Sequence, residues 1–129
     1  MRVLLDSHTL IWAADEVARI PGAALTAVRD ARNDRLVSAA TIWEIAIKVG
    51  KKRLPLSLPY RPWMDQVMAD LCLTLLPITL DHAERQSILP NHHADPFDRL
   101  LIAQALVEGV PVVSGDVTFD AYGVTRIWD

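Results

Sequence analysis

Short apolar segments alternate along this chain with longer amphipathic segments, and this alternation constrains the fold more than any other feature. The short segments have the length and the leucine and β-branched content of buried strands; they lie at 3–5, 35–38, 74–78, 110–114 and 124–128. Helical spacing of apolar residues predicts helices at 7–16, 22–33, 41–53, 63–72, 80–89 and 96–108. This order predicts an α/β fold, a three-layer sandwich with a mostly parallel central sheet, because right-handed crossovers place helices on both faces.

The length and composition predict one ordinary globular domain spanning residues 1–129. The chain is 51% apolar and 22% charged, and its formal net charge is −3, which argues against broad electrostatic wrapping of a polyanion. The single cysteine, Cys72, lies in an apolar stretch and is expected to be a small buried hydrophobe. We find no signal peptide and no membrane span, so a cytoplasmic protein without a membrane partner is expected.

Local signals also predict where the helices begin and end. Capping side chains are expected at Ser7, at Thr41 in a capping box with Glu44, at Thr79, and at Asp95 before Pro96. Gly50 and Gly109 are placed to end the helices that precede them.

Four acidic residues are predicted to lie at one edge of the sheet. Asp6 and Asp116 follow the first and fourth predicted strands, and Glu44 and Asp98 lie in the first turns of helices that leave the same edge. Ligands of open parallel sheets bind outside the carboxyl ends of the strands. The four carboxylates are therefore expected to converge, although each also has a purely structural explanation.

Those structural explanations are local. Glu44 can complete a capping box and pair with Lys48 four residues later, and Asp98 gains about 0.3–1 kcal/mol from the helix dipole. Asp6 and Asp116 can be turn residues after strands. One shared site explains the presence of four acidic residues at this edge more simply than four unrelated structural roles do.

A pocket of four carboxylates has a defined chemistry. Mutual repulsion raises the pKa of some of them unless a cation intervenes. The helix N-terminus is expected to keep Asp98 ionised while it binds the ion. Oxygen ligands favour Mg²⁺, with Mn²⁺ as the alternative, and argue against zinc. Such a site can activate a water and stabilise in-line attack on a phosphodiester. The adjacent His92 and His93 lack further ligands at zinc spacing.

Basic and aromatic residues leave two explanations open. The basic run of Lys48, Lys51, Lys52 and Arg53 either complements a helix C-terminus in solvent or contacts a nucleic-acid backbone, and His93 is a candidate phosphate contact. The four tryptophans are expected in the core or in an interface, and the wide apolar faces around Trp12 and Trp43 favour a helix-mediated dimer.

Four segments in matching order and spacing resemble one known family. They are LLDSHTLIW, VSAATIWEIAIKVGKKRL, HADPFDRLLIAQA and VVSGDVTFDAYGV, at 4–12, 37–54, 93–105 and 112–124. Together they resemble the PIN-domain ribonucleases, and among these the VapC toxins of bacterial toxin–antitoxin pairs. The resemblance covers nearly the whole chain.

The resemblance implies a PIN-like sandwich that cuts RNA with a divalent metal. The acidic positions of the family fall on Asp6, Glu44, Asp98 and Asp116, as metal-holding and catalytic residues. Ser7, Thr9 and Ser114 match small hydroxyl positions that would orient waters. The family further implies products with 5′-phosphate and 3′-hydroxyl ends, a homodimer, and a cognate antitoxin that covers the groove.

Three other functions are also considered. The acidic pocket could bind a basic partner or nucleic acid without catalysis, or the fold could serve a nuclease that acts on DNA or in RNA processing without an antitoxin. A phosphotransfer domain with Asp6 as nucleophile is disfavoured, because the second aspartate it needs is replaced by His8.

Overall fold

The computed structural model describes residues 1–129 and contains a five-stranded sheet with helices on both sides. The strands are β1 (Arg2–Leu5), β2 (Asp34–Ser38), β3 (Thr74–Leu76), β4 (Val112–Val113) and β5 (Arg126–Ile127). The α-helices are α1 (Ser7–Asp15), α2 (Gly22–Arg29), α3 (Ala39–Gly50), α4 (Tyr60–Asp70), α5 (Leu80–Ser87) and α6 (Pro96–Glu108). Two 3-10 helices cover Val17–Arg19 and Val117–Tyr122.

The sheet is parallel throughout, in the order β3-β2-β1-β4-β5. Leu4 of the central strand β1 pairs with Leu36 on one side and with Val112 on the other. The chain order therefore reverses between the neighbouring strands β1 and β4. Such a reversal opens a crevice at the carboxyl ends of the two strands, where α/β sheets bind ligands.

Alternate residues of the strands pack into two separate hydrophobic cores, one on each face of the sheet, which makes the molecule a three-layer sandwich. Val3, Leu5 and Val37 pack with α1, α2 and α4 on one face, and Leu4 and Leu36 pack with α6 and the 3-10 helix at 117–122 on the other. Because both faces are covered, residues 3–5 of β1 and 112–113 of β4 are buried and apolar without a polar alternation.

The helix ends are partly those that the sequence predicted. Asp95 caps α6 by accepting hydrogen bonds from the backbone of Phe97 and Asp98, and Gly109 ends it at φ 66°. Thr79 caps α5 and forms a capping box, with His82 as the reciprocal partner. Gly50 is the last residue of α3. These caps were predictable because each depends on neighbours along the chain.

Two predicted caps are wrong. Asp6, and not Ser7, caps α1, because its carboxylate accepts from the Thr9 N–H. Ser38 caps α3, which therefore begins at Ala39, and Thr41 lies buried inside the helix. Glu44 consequently lies in the second turn of α3 and makes no capping bond. Its predicted pair with Lys48 is present, at 2.9 Å.

Other corrections concern segment bounds. Helix α2 ends at Arg29 because the Asp30 side chain accepts from the Arg32 N–H and turns the chain. Helix α4 begins at Tyr60, since Pro62 falls in the first turn, where its missing N–H has no partner to lose. The two 3-10 helices were not predicted.

Cys72 is exposed, contrary to the expectation that it is buried. It follows the end of α4 in a left-handed turn at φ 47°, and this turn points its side chain away from the core. Among the tryptophans, Trp63 is buried in the core, Trp12 and Trp128 are half-buried against it, and Trp43 is 63% exposed. No helix of the structure has the length and apolar content to cross a bilayer.

Candidate active site

Asp6 is fixed at the carboxyl end of the central strand by bonds to both of its carboxylate oxygens. Oδ1 accepts from the Thr9 N–H at 2.8 Å, and Oδ2 accepts a short hydrogen bond from the Ser114 hydroxyl. The Thr9 hydroxyl donates to the carbonyl of Val113 at 2.7 Å, which ties α1 to β4. Asp6 is only 5% exposed, so its carboxylate is held rigidly at the crevice.

Asp116 is positioned from the neighbouring strand. The Ser114 hydroxyl accepts from the Asp116 N–H at 3.0 Å while it donates to Asp6, so one serine orients both acidic residues. Asp116 also caps the 3-10 helix that follows, since Oδ1 accepts from the Thr118 N–H at 2.9 Å. Its second oxygen remains directed to the crevice.

Asp98 and Glu44 enter the crevice from the helices. Asp98 lies in the first turn of α6, and Glu44 lies on α3, 5% exposed, with Oε2 bound to the Lys48 ammonium. Helices α3 and α6 pack together beside them, and Trp43 and Phe97 make an edge-to-face contact at 5.6 Å between centroids. This packing brings Glu44 and Asp98 to the same edge.

His93 lies between Asp98 and Asp116. Its Nε2 is 3.0 Å from Asp98 Oδ2 and 3.2 Å from Asp116 Oδ2. Its Nδ1 accepts from the Asp95 N–H at 3.2 Å, so the ring proton is on Nε2, which donates to Asp116. The sequence identified His93 only as a phosphate contact, and its place inside the acidic cluster was not predicted.

The surroundings displace two of the carboxyl pKa values in opposite directions. Burial, followed by the negative charges of Asp95, Glu44 and Asp6, raises the pKa of Asp98 from 3.8 to about 7, against a lowering effect of His93. Without a bound cation, the helix N-terminus therefore does not keep the pKa of Asp98 at its ordinary value. The expectation that crowding raises the pKa of some of the carboxyls is confirmed.

The pKa of Asp116 shifts in the opposite direction because its carboxylate accepts hydrogen bonds from its neighbours. Burial alone would raise the pKa of Asp116, but hydrogen bonds from the backbone and side chain of Thr118 and from His93 hold it below its ordinary value. Near neutral pH the site thus holds an ionised Asp116 beside Asp98, which is only partly ionised because its pKa is about 7.

This donor set fits a hard divalent cation. The nearest ligand-type atoms of His93, Asp98 and Asp116 lie within 4.8 Å of one another. Glu44 and Asp6 add negative charge close enough to raise the pKa of Asp98. Because the Nε2 of His93 carries its proton, we assign this histidine as a hydrogen-bond donor and the carboxylates as the ligands. A cation here would relieve the repulsion that raises the pKa of Asp98.

The remaining candidates are placed less centrally. Ser7 is buried at the start of α1 and its hydroxyl makes no hydrogen bond. Lys48 binds Glu44 at the site, whereas Lys51, Lys52 and Arg53 are exposed beyond the end of α3 and have no side-chain partner. Sequence reasoning did not identify Arg99 and Tyr122, which bind the loop that carries His93; no local motif marks them.

Comparisons with known proteins identify the family of this chain. The family model of the PIN domain matches residues 3–124, a range that includes all four acidic residues. The chain is 34% identical over 116 residues to Ribonuclease VapC22 of Mycobacterium tuberculosis, covering 88% of this chain and 86% of that protein.

Two solved structures share the fold. VapBC2 of Rickettsia felis, bound to a DNA fragment from its promoter, matches with a TM-score of 0.73 at 16% identity over 100% of both chains. FitAcB of Neisseria gonorrhoeae matches with a TM-score of 0.65 at 19% identity, over 96% of this chain and 95% of that one. With the match to the PIN model and the identity to a VapC ribonuclease, these findings show that the chain belongs to the PIN-domain family and to its VapC branch.

Proposed function

We propose that this protein is a divalent-metal-dependent endoribonuclease and the toxin of a toxin–antitoxin pair. The observation that carries the proposal is the cluster at the crevice beside β1, where Ser114 links Asp6 to Asp116 and His93 links Asp116 to Asp98. The VapC22 relative is named a ribonuclease, which supports RNA as the substrate.

In this proposal Asp6, Glu44, Asp98 and Asp116 hold Mg²⁺, with Mn²⁺ as the alternative. A bound divalent cation supplies charge neutralisation at the scissile phosphate and lowers the pKa of water. Ser114 and Thr9 keep the Asp6 carboxylate in one orientation, and Ser7 offers a free hydroxyl to a water. Asp98 is partly protonated near neutral pH, and its proton must leave before the carboxylate binds the cation with its full negative charge.

We further propose that RNA approaches along the basic end of α3. Lys51, Lys52 and Arg53 are exposed there and unpaired, so they are free to contact phosphates and set the register of the strand without reading its sequence. Lys48 lies between this run and the acidic cluster.

The proposed protein partners are a second copy of the chain and an antitoxin. The exposed Trp43 lies on an α3 face that continues with the half-buried Ala46 and Ile47, and this apolar face is the proposed dimer surface. The structural neighbours are VapBC and FitAB assemblies, which supports a cognate antitoxin.

The test is RNA cleavage by purified protein free of any antitoxin, with Mg²⁺, with Mn²⁺ and with EDTA. We expect cleavage only with metal, and a loss of about 100-fold or more in Asp6→Asn and Asp98→Asn. Glu84→Gln, which changes an exposed acidic residue on α5, is the matched control.

Sequencing of the product ends completes the test. Products with 5′-phosphates and 3′-hydroxyls are expected. Equal cleavage in EDTA, or in Asp98→Asn, would overturn the metal-carboxylate mechanism. Metal binding without any cleavage would favour a pocket that only binds a partner.

A further inference from the structure

Arg99 directly follows Asp98 in α6 and binds the loop that carries His93. Its guanidinium donates to the carbonyls of Pro90 at 2.9 Å, Leu89 at 3.3 Å and Gln86 at 3.4 Å. It also donates to the Tyr122 hydroxyl at 3.4 Å. One side chain of α6 therefore holds the end of α5 and the start of the following loop.

Tyr122 holds the next part of the same loop. Its hydroxyl accepts from the His92 N–H at 2.9 Å, and its ring meets the His92 ring edge-to-face at 5.2 Å. Tyr122 is the last residue of the 3-10 helix that Asp116 caps. Arg99 and Tyr122 thus connect the loop to the segments that carry Asp98 and Asp116.

The loop at residues 88–95 has little freedom between these anchors. His92 is bound to Tyr122, and Asp95 is fixed as the N-cap of α6, so only His93 and Ala94 lie between two fixed points. The Asp95 N–H donates to Nδ1 of His93, which sets the ring so that Nε2 faces Asp98 and Asp116. The position of His93 follows from the anchors on either side of it.

We propose that Arg99, together with Tyr122, is a positioning residue that fixes the 88–95 loop so that His93 lies between Asp98 and Asp116. This inference rests on the proposed nuclease site, whose geometry it explains. A planar guanidinium reaches several carbonyls at once, whereas a lysine ammonium is a point charge that reaches fewer of them.

The test compares Arg99→Met, Arg99→Lys and Tyr122→Phe with Arg35→Met. Arg35 is a matched control because it is 8% exposed and binds a single carbonyl, that of Val28, away from the loop. RNA cleavage is measured well below each melting temperature, with kcat and KM separated. The nitrogen chemical shifts of the His93 imidazole, assigned with His93→Gln, are measured on the same proteins.

In Arg99→Met we expect kcat to fall by about 10- to 100-fold, the loss that a displacement of His93 by about 1 Å would cause, while KM changes less. The His93 shifts are expected to move from those of a ring protonated on Nε2 towards those of a free imidazole. Arg99→Lys should resemble Arg99→Met, and Tyr122→Phe should show a smaller loss. Arg35→Met should lower the melting temperature while kcat and the His93 shifts stay unchanged.

Wild-type kcat and His93 shifts in Arg99→Met, or changes shared equally by Arg35→Met, would overturn the inference. If Arg99→Met does not fold, Arg99→Lys and Tyr122→Phe decide by the same criteria. If the wild-type protein cuts no RNA, the proposed function fails, and the His93 shifts still judge the positioning role independently.

Discussion

Asp95 and Asp98 lie three residues apart, and the structure gives their carboxylates different surroundings. Asp95 accepts the backbone N–H groups that begin α6, whereas Asp98 makes its close contact with His93 in the crevice. Their proximity also couples them, because the charge of Asp95 is the second cause, after burial, of the raised pKa of Asp98. One residue thus has a structural task and the other belongs to the site, and each affects the other.

The pKa of Asp98 leads to a pH dependence of metal binding. Because its pKa is about 7, we expect Mg²⁺ affinity to fall by up to tenfold per pH unit below pH 7 and to level off above it. Calorimetric titration at pH 6, 7 and 8 measures this change and the proton released. A flat affinity across this range would contradict the assignment, and Asp98→Asn should show weak binding without the pH dependence.

Stability without metal should have the opposite pH trend. The folded pKa of Asp98 lies above its ordinary value of 3.8, so the folded protein binds more protons than the unfolded chain between about pH 4 and pH 7. The contribution of Asp98 to stability is therefore lost as the pH rises through this window. Urea unfolding in EDTA should show this slope in the wild type and a smaller one in Asp98→Asn.

Substitutions of Asp95 separate its two effects. Asp95→Ala removes the N-cap and should lower the free energy of unfolding by about 1 kcal/mol, whereas Asp95→Asn should retain most of that stability. Both remove a negative charge near Asp98, so both should lower the pKa of Asp98. Urea unfolding and NMR titration of Asp98 measure the two effects; equal stability losses in both variants would refute the capping role.

At the scale of elements, the turn after β4 depends on the end of the chain. A Cβ added at Gly115 would lie 2.9 Å from Cε2 of Trp128. Trp128 has little room to move, because its carbonyl accepts from the Ala24 N–H and its ring packs on Trp12. Ser114 and Asp116 flank Gly115, so Trp128, which directly follows β5, helps to set the turn that carries them.

Gly115→Ala should therefore displace either the turn or the Trp128 ring. We expect a loss of roughly 1–3 kcal/mol in the free energy of unfolding, with reduced RNA cleavage. Gly22→Ala is the control, since a Cβ there meets nothing within 4 Å. Urea unfolding measures both variants, and equal stabilities would show that the Trp128 contact does not limit this position.

The elements also differ in how much of them was predictable. Helix α6 was predicted at 96–108, because its cap, its proline and its terminal glycine are all local signals. The 3-10 helix at 117–122 was missed because its turns depend on Asp116, whose orientation comes from Ser114 and His93. The β4 strand is shorter than its apolar run, since only two residues find ladder partners.

At the scale of the molecule, Trp43 is the only residue among the phenylalanines, tyrosines and tryptophans that is exposed. Trp43 is 63% exposed beside the acidic site, next to the half-buried Phe97. We expect the wild type to be a dimer at micromolar concentration and Trp43→Glu to be a monomer by sedimentation velocity, because the charge would be buried without a partner.

Leu80→Glu is the matched control for this surface. Leu80 is 85% exposed on α5, and it should tolerate the charge without a change of oligomeric state. A monomeric wild type would refute the proposed homodimer. Dissociation of Leu80→Glu but not of Trp43→Glu would place the interface on α5.

The sequence alone determined the layered α/β architecture and the positions of the four acidic residues near strand ends and helix starts. These features depend on apolar periodicity, helix caps and strand ends, which are all set by residues that are close along the chain. Tertiary structure decided what these residues do to one another. His93 is held between Asp98 and Asp116 by Arg99 and Tyr122. Asp98 is partly protonated near neutral pH because it is buried and because the negative charges of Asp95, Glu44 and Asp6 act on it. Electrostatic energy depends on distance through space and on solvent exposure, and neither quantity is fixed by position along the chain.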